Sequence, residues 1–340
     1  MQKRRFYIGI DIADKTFYAS IFSTPQKPHI SKEFTNSMDG FQQFVAWLKQ
    51  QKVSPGNSII CMEATGVYCD NLCYYVSSQN YPLVLEAPHK VKKAFTHLDK
   101  NDRVDSQQIS EYAYRFKDKL TLWEPKSYIL EQIQVLLTTR EQLLKQRSAN
   151  KNSLKAVKRK YVRTPLAEKT FQQSIDHLSK QVETIEKEIE KLIKKDTDFH
   201  QMKTLITSIP AVGNLLYYNL LVTTKGFTEN INSKNLASYF GIAPHEHSSG
   251  SSIFKKAKSQ RRGPKRPRKF IYLASLSLRT HNKCIKMYFM RKVAEGKSGR
   301  LVLNNIANKL IKIICAIARD RKPYIEGYLS INPQILLNNT

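Results

Sequence analysis

The sequence predicts an α/β domain built on a mixed sheet, then a helical segment, then a mainly α-helical C-terminal domain. Three observations carry this. Up to residue 126, short aromatic and β-branched runs alternate with stretches of helical periodicity. From Ser127 helix formers dominate, and one apolar seam repeats at steps of three and four. After Phe199 a second compact region begins, with apolar helices separated by turn-rich and basic stretches. At 340 residues the chain exceeds one ordinary core. The expected divisions are 1–126, 127–198 and 199–330.

Taken in order, Phe6 to Ile12, Phe17 to Phe22 and His29 to Phe34 read as three strands parted by turn residues. Asp39 to Gln51 carries Phe41, Phe44, Val45 and Leu48 at helical spacing. Ser58 to Glu63 reads as a strand, Tyr68 to Ser78 as a helix and Leu83 to Glu86 as a strand. Three strands followed by alternating helix and strand fit an α/β domain. Farther on, Phe171, Ile175, Leu178, Val182, Ile185, Ile189 and Leu192 form a heptad seam, about 33 Å of helix at 1.5 Å per residue. An upstream helix with Ile129, Ile133, Leu136 and Leu143 is a candidate antiparallel partner. The seam fits either an internal hairpin or a dimerisation arm. Lys151 to Arg163, between the two helices, is strongly basic. Two apolar helices are expected near 270–290 and 301–318.

Charge is the strongest bulk signal. Lys and Arg total 56 and Asp and Glu 28, a formal charge of +28. Such an excess repels itself unless a polyanion neutralises it, and the obvious polyanions are DNA and RNA. The five cysteines include no C-x-x-C spacing, which points to reduced thiols in a cytoplasmic protein. The basic N-terminus has too short an apolar run, broken by Asp11, for a signal peptide. The apolar stretch Ile311 to Ile317 is interrupted by Lys312 and reads as a buried helix.

Four carboxylates stand out. Asp11 lies at the end of the first strand and Glu63 ends a later one, where open α/β sheets present their sites. Asp102 and Asp105, three residues apart, share one helical face. Converging carboxylates do not all stay ionised without a cation, and magnesium favours such oxygen ligands. Each acid alone reads more readily as a cap or turn residue, Asp102 as an N-cap, and it is the set together, on so basic a chain, that favours a metal site.

GIDIADKT, MEATGVY and KNDRVDSQQIS, in that order, resemble the D-E-D-D nuclease-like domain of insertion-sequence transposases of the IS110 type. The usual forms are roughly G-I-D-x-(A/S)-K, E-(A/S)-T-G-x-Y and K-(T/N)-D-x-x-D-A. This sequence departs mildly, with Asp14 before the Lys, Asn101 where Thr is common and Ser106 for Ala. The resemblance implies an RNase H-like (RuvC-like) fold, with Asp11, Glu63, Asp102 and Asp105 as catalytic ligands of Mg2+. S-I-P-A-V-G at 208–213 resembles the P-G-(I/V)-G turn of a helix-hairpin-helix, with Ala211 for the first Gly; a plain helix–helix turn reads equally well.

Tyr239 to Ser252, YFGIAPHEHSSGSS, resembles the same family's (A/F)-G-L-x-P-x-x-x-x-S-G. Gly241, Pro244 and Gly250 keep their places, and the family's nucleophilic serine falls on Ser249, with Ser248 next. Without the resemblance this is an ordinary Ser/Gly loop. His245 and His247 flank it and receive no role. Downstream, Lys255, Lys256, Lys258, Arg261, Arg262, Lys265, Arg266, Arg268 and Lys269 pack nine cations into 15 residues, a density that favours phosphate contact. Pro267 stands in the family's helix-start pattern where Leu is usual.

The resemblance spans Tyr7 to Ile317. It implies a DNA transposase that excises and inserts a mobile element, acting on double-stranded DNA at element ends and target. It further implies guidance by a structured RNA, and assembly as a homo-oligomer, a dimer or tetramer, in which acids and serine come from different subunits. Two rivals remain from the residues alone. One is a resolvase-like endonuclease using water, which needs the acids but not Ser249. The other is a nucleic-acid-binding protein that never cuts.

Overall fold

The computed structural model describes residues 5–95, 101–125, 127–228, 232–249, 253–259, 263 and 265–326, with 245–249 and 253–258 described by backbone alone. The chain divides into two compact units, Met1–Pro125 and Lys126–Thr340.

The first unit is a five-stranded mixed sheet with helices on both faces. Strands β1 (Phe6–Ile12), β2 (Thr16–Phe22) and β3 (Ile30–Thr35) form an antiparallel meander. Helix α1 (Met38–Gln50) leads to β4 (Ser58–Glu63), which lies parallel to β1. A 3-10 turn at Gly66–Cys69 and α2 (Asp70–Ser78) lead to β5 (Leu83–Glu86), parallel to β4. Then come α3 (Pro88–Ala94) and α4 (Asp102–Arg115). The strand order is β3-β2-β1-β4-β5.

Side-chain alternation assigns the faces. Ile8, Ile10 and Met62 pack with Phe41, Phe44 and Leu48 of α1 and Leu72 and Val76 of α2. Tyr7, Ile59, Cys61 and Val84 point the other way, onto Val91 of α3 and Ile109, Tyr112 and Ala113 of α4. Gly9, on that second face, has a specific reason. A Cβ there would lie 2.1 Å from the Ser106 carbonyl oxygen and 2.2 Å from the Ser110 amide nitrogen. The missing side chain lets the α4 backbone rest directly on β1. Ser106 adds a buried polar seam: its Oγ lies 2.7 Å from Ser20 Oγ, which lies 2.7 Å from Ser31 Oγ.

Among its described residues, the second unit is helical apart from one hairpin. Helices α5 (Tyr128–Val157) and α6 (Pro165–Lys195) run antiparallel, registered by an Arg140–Glu186 ion pair at 2.7 Å and an Arg147-to-Ser179 hydrogen bond at 3.3 Å. Ile175, Leu178, Val182, Ile189 and Leu192 of the seam are buried. α5 is the same-chain helix that α6 packs against along its length, with Ile189 and Leu192 beside Leu130, Ile133 and Leu137. Helices α7 (Thr197–Thr207), α8 (Asn214–Thr223) and α9 (Ser233–Tyr239) precede the strands β6 (Pro244–Ser249) and β7 (Ile253–Ser259). Helices α10 (Lys265–His281), α11 (Lys283–Ala294) and α12 (Gly299–Asp320) follow. α12 is long and apolar enough to cross a membrane by composition, yet Val302, Ile306, Leu310, Ile311 and Ile314 are buried in this unit's core. All five cysteines are free.

Two expectations are corrected. The helix expected near 270–290 is two helices, α10 and α11. They part at Asn282, whose side chain accepts from the Ile285 amide at 2.9 Å and donates to Glu326 at 3.0 Å. Pro244–Ser249, entering the Ser/Gly stretch, and Ile253–Ser259, opening the basic run, are not plain loop but an antiparallel ladder, β6 against β7, while residues 250–252 lie outside the described residues.

The turn between α7 and α8 holds Ala211 at φ +68°. A left-handed conformation costs a residue with a Cβ roughly 1–2 kcal/mol, and Gly adopts it freely. Ala211→Gly is therefore expected to stabilise the protein by about 0.5–1 kcal/mol, after the added chain entropy of Gly. A urea titration checks this; a lower midpoint would mean that the turn depends on the Ala methyl.

Candidate active site

The acidic cluster is assembled by strand register and helix placement. Ile10 pairs with Met62 across parallel strands β1 and β4, so Asp11 and Glu63 are the next position on neighbouring strands. Alternation turns both toward the α4 face, the face of Tyr7, Gly9, Ile59 and Cys61. The close seat of α4 on Gly9 then brings the start of α4 to the end of β1. Asn101 caps α4, its side chain accepting from the Arg103 amide at 3.0 Å. The capping role is thereby filled, and Asp102 and Asp105 stand in the first turn.

The electrostatics report the convergence. Burial first, then the charges of Asp105, Asp102 and Glu63, push the Asp11 carboxyl up to about 6. Burial also raises Glu63, with Asp105 adding to it and Lys92 of α3 opposing. Glu86, beside Glu63 in the β4–β5 ladder, shows what a satisfied carboxylate looks like. It pairs with Lys90 at 2.8 Å and accepts from the Ala87 amide at 3.1 Å and the Tyr112 hydroxyl at 3.2 Å, and these hold it low despite burial. Among the described residues, Asp11 and Glu63 have no such neutralising set. Four hard oxygen donors repelling one another suit a divalent cation such as Mg2+. Among the described residues, no three His, Cys, Asp or Glu side chains form a closed ligand cluster. The acids are gathered within electrostatic reach and not clamped together.

Two groups here carried no role in the sequence reading. Lys92, in the α3 segment that shows no strong periodicity, supplies the cation nearest in effect to Glu63. Thr65 Oγ1, two residues beyond Glu63, is buried without a hydrogen-bond partner. Its signal was its place in MEATG.

The serine segment belongs to the second unit. Ser249 is the last residue of β6 and pairs with Ile253 of β7; Ser248 pairs with Phe254. His245 stands opposite Lys258 and His247 opposite Lys255, with an irregularity between. The base of this hairpin is anchored. Asn304 of α12 donates to the Ile242 carbonyl at 2.9 Å and accepts from the Tyr272 hydroxyl at 2.6 Å. Gly263 (φ +101°) passes so close to α9 that a Cβ would lie 1.9 Å from the Tyr239 carbonyl oxygen.

Of the nine expected phosphate-binding cations, Lys255, Lys256 and Lys258 lie on β7, their side chains outside the described structure. Arg261 and Arg262 lie outside the described residues. Lys265, Arg266, Arg268 and Lys269 open α10, with Pro267 tolerated in its first turn. No carboxylate accompanies them there. Cations at a helix N-terminus oppose its dipole, so this end is electrostatically unfavourable until an anion arrives.

Two family models and several known proteins are similar to this chain. A DEDD transposase family model of the IS110 type matches residues 8–162. The model for the transposase IS116/IS110/IS902 family matches residues 203–290. A pilin gene-inverting protein of Moraxella bovis is 27% identical over 323 residues, covering 94% of this chain and 97% of its own length. The transposase for insertion sequence element IS1111A of Coxiella burnetii is 25% identical over 272 residues, 72% of this chain and 73% of its own. An insertion element IS110 protein of Streptomyces coelicolor is 31% identical over 121 residues, 36% of this chain and 30% of its own.

Proposed function

The chain belongs to the IS110 family of transposases, and we propose that it cuts and rejoins double-stranded DNA through Ser249, assisted by a magnesium site at Asp11, Glu63, Asp102 and Asp105. Transposase activity on DNA is what the family supplies. The observation that supports the finer reading is the convergence of Asp105, Asp102 and Glu63 on Asp11, whose carboxyl is raised to about 6 by burial first and by these three charges in addition. We read the first unit as RNase H-like on its antiparallel β1–β3 meander continued by parallel β4 and β5.

In the proposed reaction the Ser249 hydroxyl oxygen attacks a scissile phosphorus. A serine–phosphate bond forms as the bridging phosphorus–oxygen bond to one DNA end breaks. The hydroxyl proton goes to a base, and the departing oxygen takes up a proton to leave a free DNA hydroxyl. Attack by a hydroxyl of the partner strand reverses the step and rejoins. Lys255, Lys256, Lys258, Arg261 and Arg262, and Lys265, Arg266, Arg268 and Lys269 of α10, neutralise backbone phosphates around the cut. Asp11, Glu63, Asp102 and Asp105 would hold the cation. When bound, Mg2+ supplies charge stabilisation to the attacking and leaving oxygens. Guidance by a structured RNA and assembly as a dimer or tetramer complete the proposal, on the family resemblance.

The test is covalent capture. Protein, Mg2+, a labelled DNA spanning the element junction and RNA from the element flank are mixed, then run on a denaturing gel. A protein–DNA adduct is expected with the natural chain and none with Ser249→Ala; its loss in Asp11→Ala ties the acids to the same step. Cleavage without an adduct, unchanged in Ser249→Ala, would replace the serine reading with water-driven hydrolysis.

A further inference from the structure

The helical pair of the second unit ends in a tip whose charge the catalytic reading leaves unused. Between residues 151 and 169 stand Lys151, Lys155, Lys158, Arg159, Lys160, Arg163 and Lys169 against a single acid, Glu168. Arg163 pairs with that acid at 2.7 Å. The other six make no ion pair with any described carboxylate. All seven are exposed, and among them stand exposed Val162 and Tyr161, the latter with its full surface open.

The rest of the pair is nearly neutral. Residues 176–195 of α6 carry five acids and five bases, and residues 128–150 of α5 carry two acids and three bases. Charge that served solubility would be spread along both helices; here it is gathered at one end. Helix dipoles do not explain it either. They favour Lys155 and Lys158 in the closing turns of α5. Arg159 and Lys160 lie beyond that helix, and Lys169 stands near the start of α6, where the dipole opposes a cation. Two such tips repel one another, which disfavours tip-to-tip pairing of copies.

The tip also reaches outward. Leu130, Ile133 and Leu137 of α5 belong to the unit's core, and the helix then runs on to Val157, about 30 Å at 1.5 Å per residue. From these observations we propose that the tip of the α5–α6 pair grips the phosphate backbone of duplex DNA away from the cleavage chemistry. This rests on the reading of the chain as a DNA-acting transposase, which makes duplex DNA the polyanion at hand. The contact is without sequence preference, because lysine and arginine on phosphates position a duplex and do not read it. Exposed Tyr161 adds a flat group beside the backbone.

The experiment is the salt dependence of duplex binding by the full chain, followed by fluorescence anisotropy in EDTA so that no cleavage intervenes. The tip variant carries Lys155→Gln, Lys158→Gln, Arg159→Gln and Lys160→Gln. A control variant carries Lys145→Gln, Lys180→Gln, Lys187→Gln and Lys191→Gln, the same charge change along the body of the pair. Gln matches Lys in helix propensity, so both helices persist. Each lost phosphate contact lowers the slope of log affinity against log salt by about 0.9. The tip variant is expected to lose roughly 2–4 from that slope, and the control less than about 1. Arg159→Gln with Lys160→Gln, outside both helices, gives the same reading at about half the size should the fourfold variant not fold.

Equal slopes for the natural chain and the tip variant overturn the proposal, as do equal losses in tip and control variants, which mean general charge. A tip variant with an unchanged slope but a changed sedimentation coefficient makes the tip a protein interface instead. A loss seen with duplex RNA and absent with duplex DNA overturns the DNA assignment. If the natural chain itself shows no salt-dependent duplex binding, the transposase reading and this one fall together; if it binds and only the tip result fails, the former stands.

Discussion

Gly9→Ala is expected to destabilise the first unit by about 3–5 kcal/mol and to abolish divalent-ion binding with it. The new methyl would meet two backbone atoms of α4, the Ser106 oxygen at 2.1 Å and the Ser110 nitrogen at 2.2 Å. Neither is the end of a flexible side chain, so relief requires lifting the helix. Lifting α4 moves Asp102 and Asp105 off Asp11 and breaks the Ser106–Ser20 contact. Ser106→Ala is the control: it removes one hydroxyl while Ser20 keeps Ser31, and costs about 1 kcal/mol. Urea unfolding and calorimetric titration with Mg2+ read both. A Gly9→Ala protein that unfolds within about 0.5 kcal/mol of the natural chain would mean that α4 is not seated as described.

Asp11→Asn is expected to move stability and activity in opposite directions. In the cation-free protein, burial and three neighbouring carboxylates raise the Asp11 carboxyl from 3.8 to about 6. A carboxyl whose folded value is raised favours the protonated fold. Its penalty is absent below the unfolded value near 4, grows as pH rises, and is complete above about 6. At neutral pH the neutral amide removes a penalty of about 1–2 kcal/mol, with solvent screening of this partly open site allowed for. The variant should therefore melt higher than the natural chain at pH 7.5 without added divalent ions, and no higher at pH 4. Adding Mg2+ should raise the melting point of the natural chain and leave the variant nearly unmoved. Strand cleavage should fall by about a thousandfold or more, the cost of losing a group that stabilises developing charge. A variant that melts lower at pH 7.5 would show that Asp11 is a structural residue and not one of a repelling set.

Much of the first unit was legible because its signals are local. Alternation in Phe6–Ile12 and Ser58–Glu63, and the period of Phe41, Phe44 and Leu48, depend on neighbours a few residues apart, and the observed elements follow them closely. The β6–β7 ladder was not legible. Its strands, PHEHSS and IFKKAKS, are polar and basic and lack the alternation that marks a half-buried strand. What anchors the hairpin's base lies far along the chain, in Asn304 of α12 and Tyr272 of α10. The break at Asn282 was likewise hidden, because an apolar run on either side reads as continuous helix until a buried amide is found capping the second half.

The sequence by itself determined the charge of the protein and the order of most of its elements, which are properties of composition and local pattern; it marked Asp11, Glu63, Asp102 and Asp105 as acids to watch, and only the family resemblance added Ser249. Tertiary structure alone decided that Asn101 takes the capping role, that Gly9 is bare because a helix backbone lies upon it, and that three acids from distant positions act on the fourth. It also decided that α6 lays its seam on α5 of its own chain and carries a cationic tip outward. The physical reason is common to all of these. Periodicity records which face of an element is buried, whereas the partner that buries it, and the charges gathered when it does, are set by contacts between residues remote in sequence.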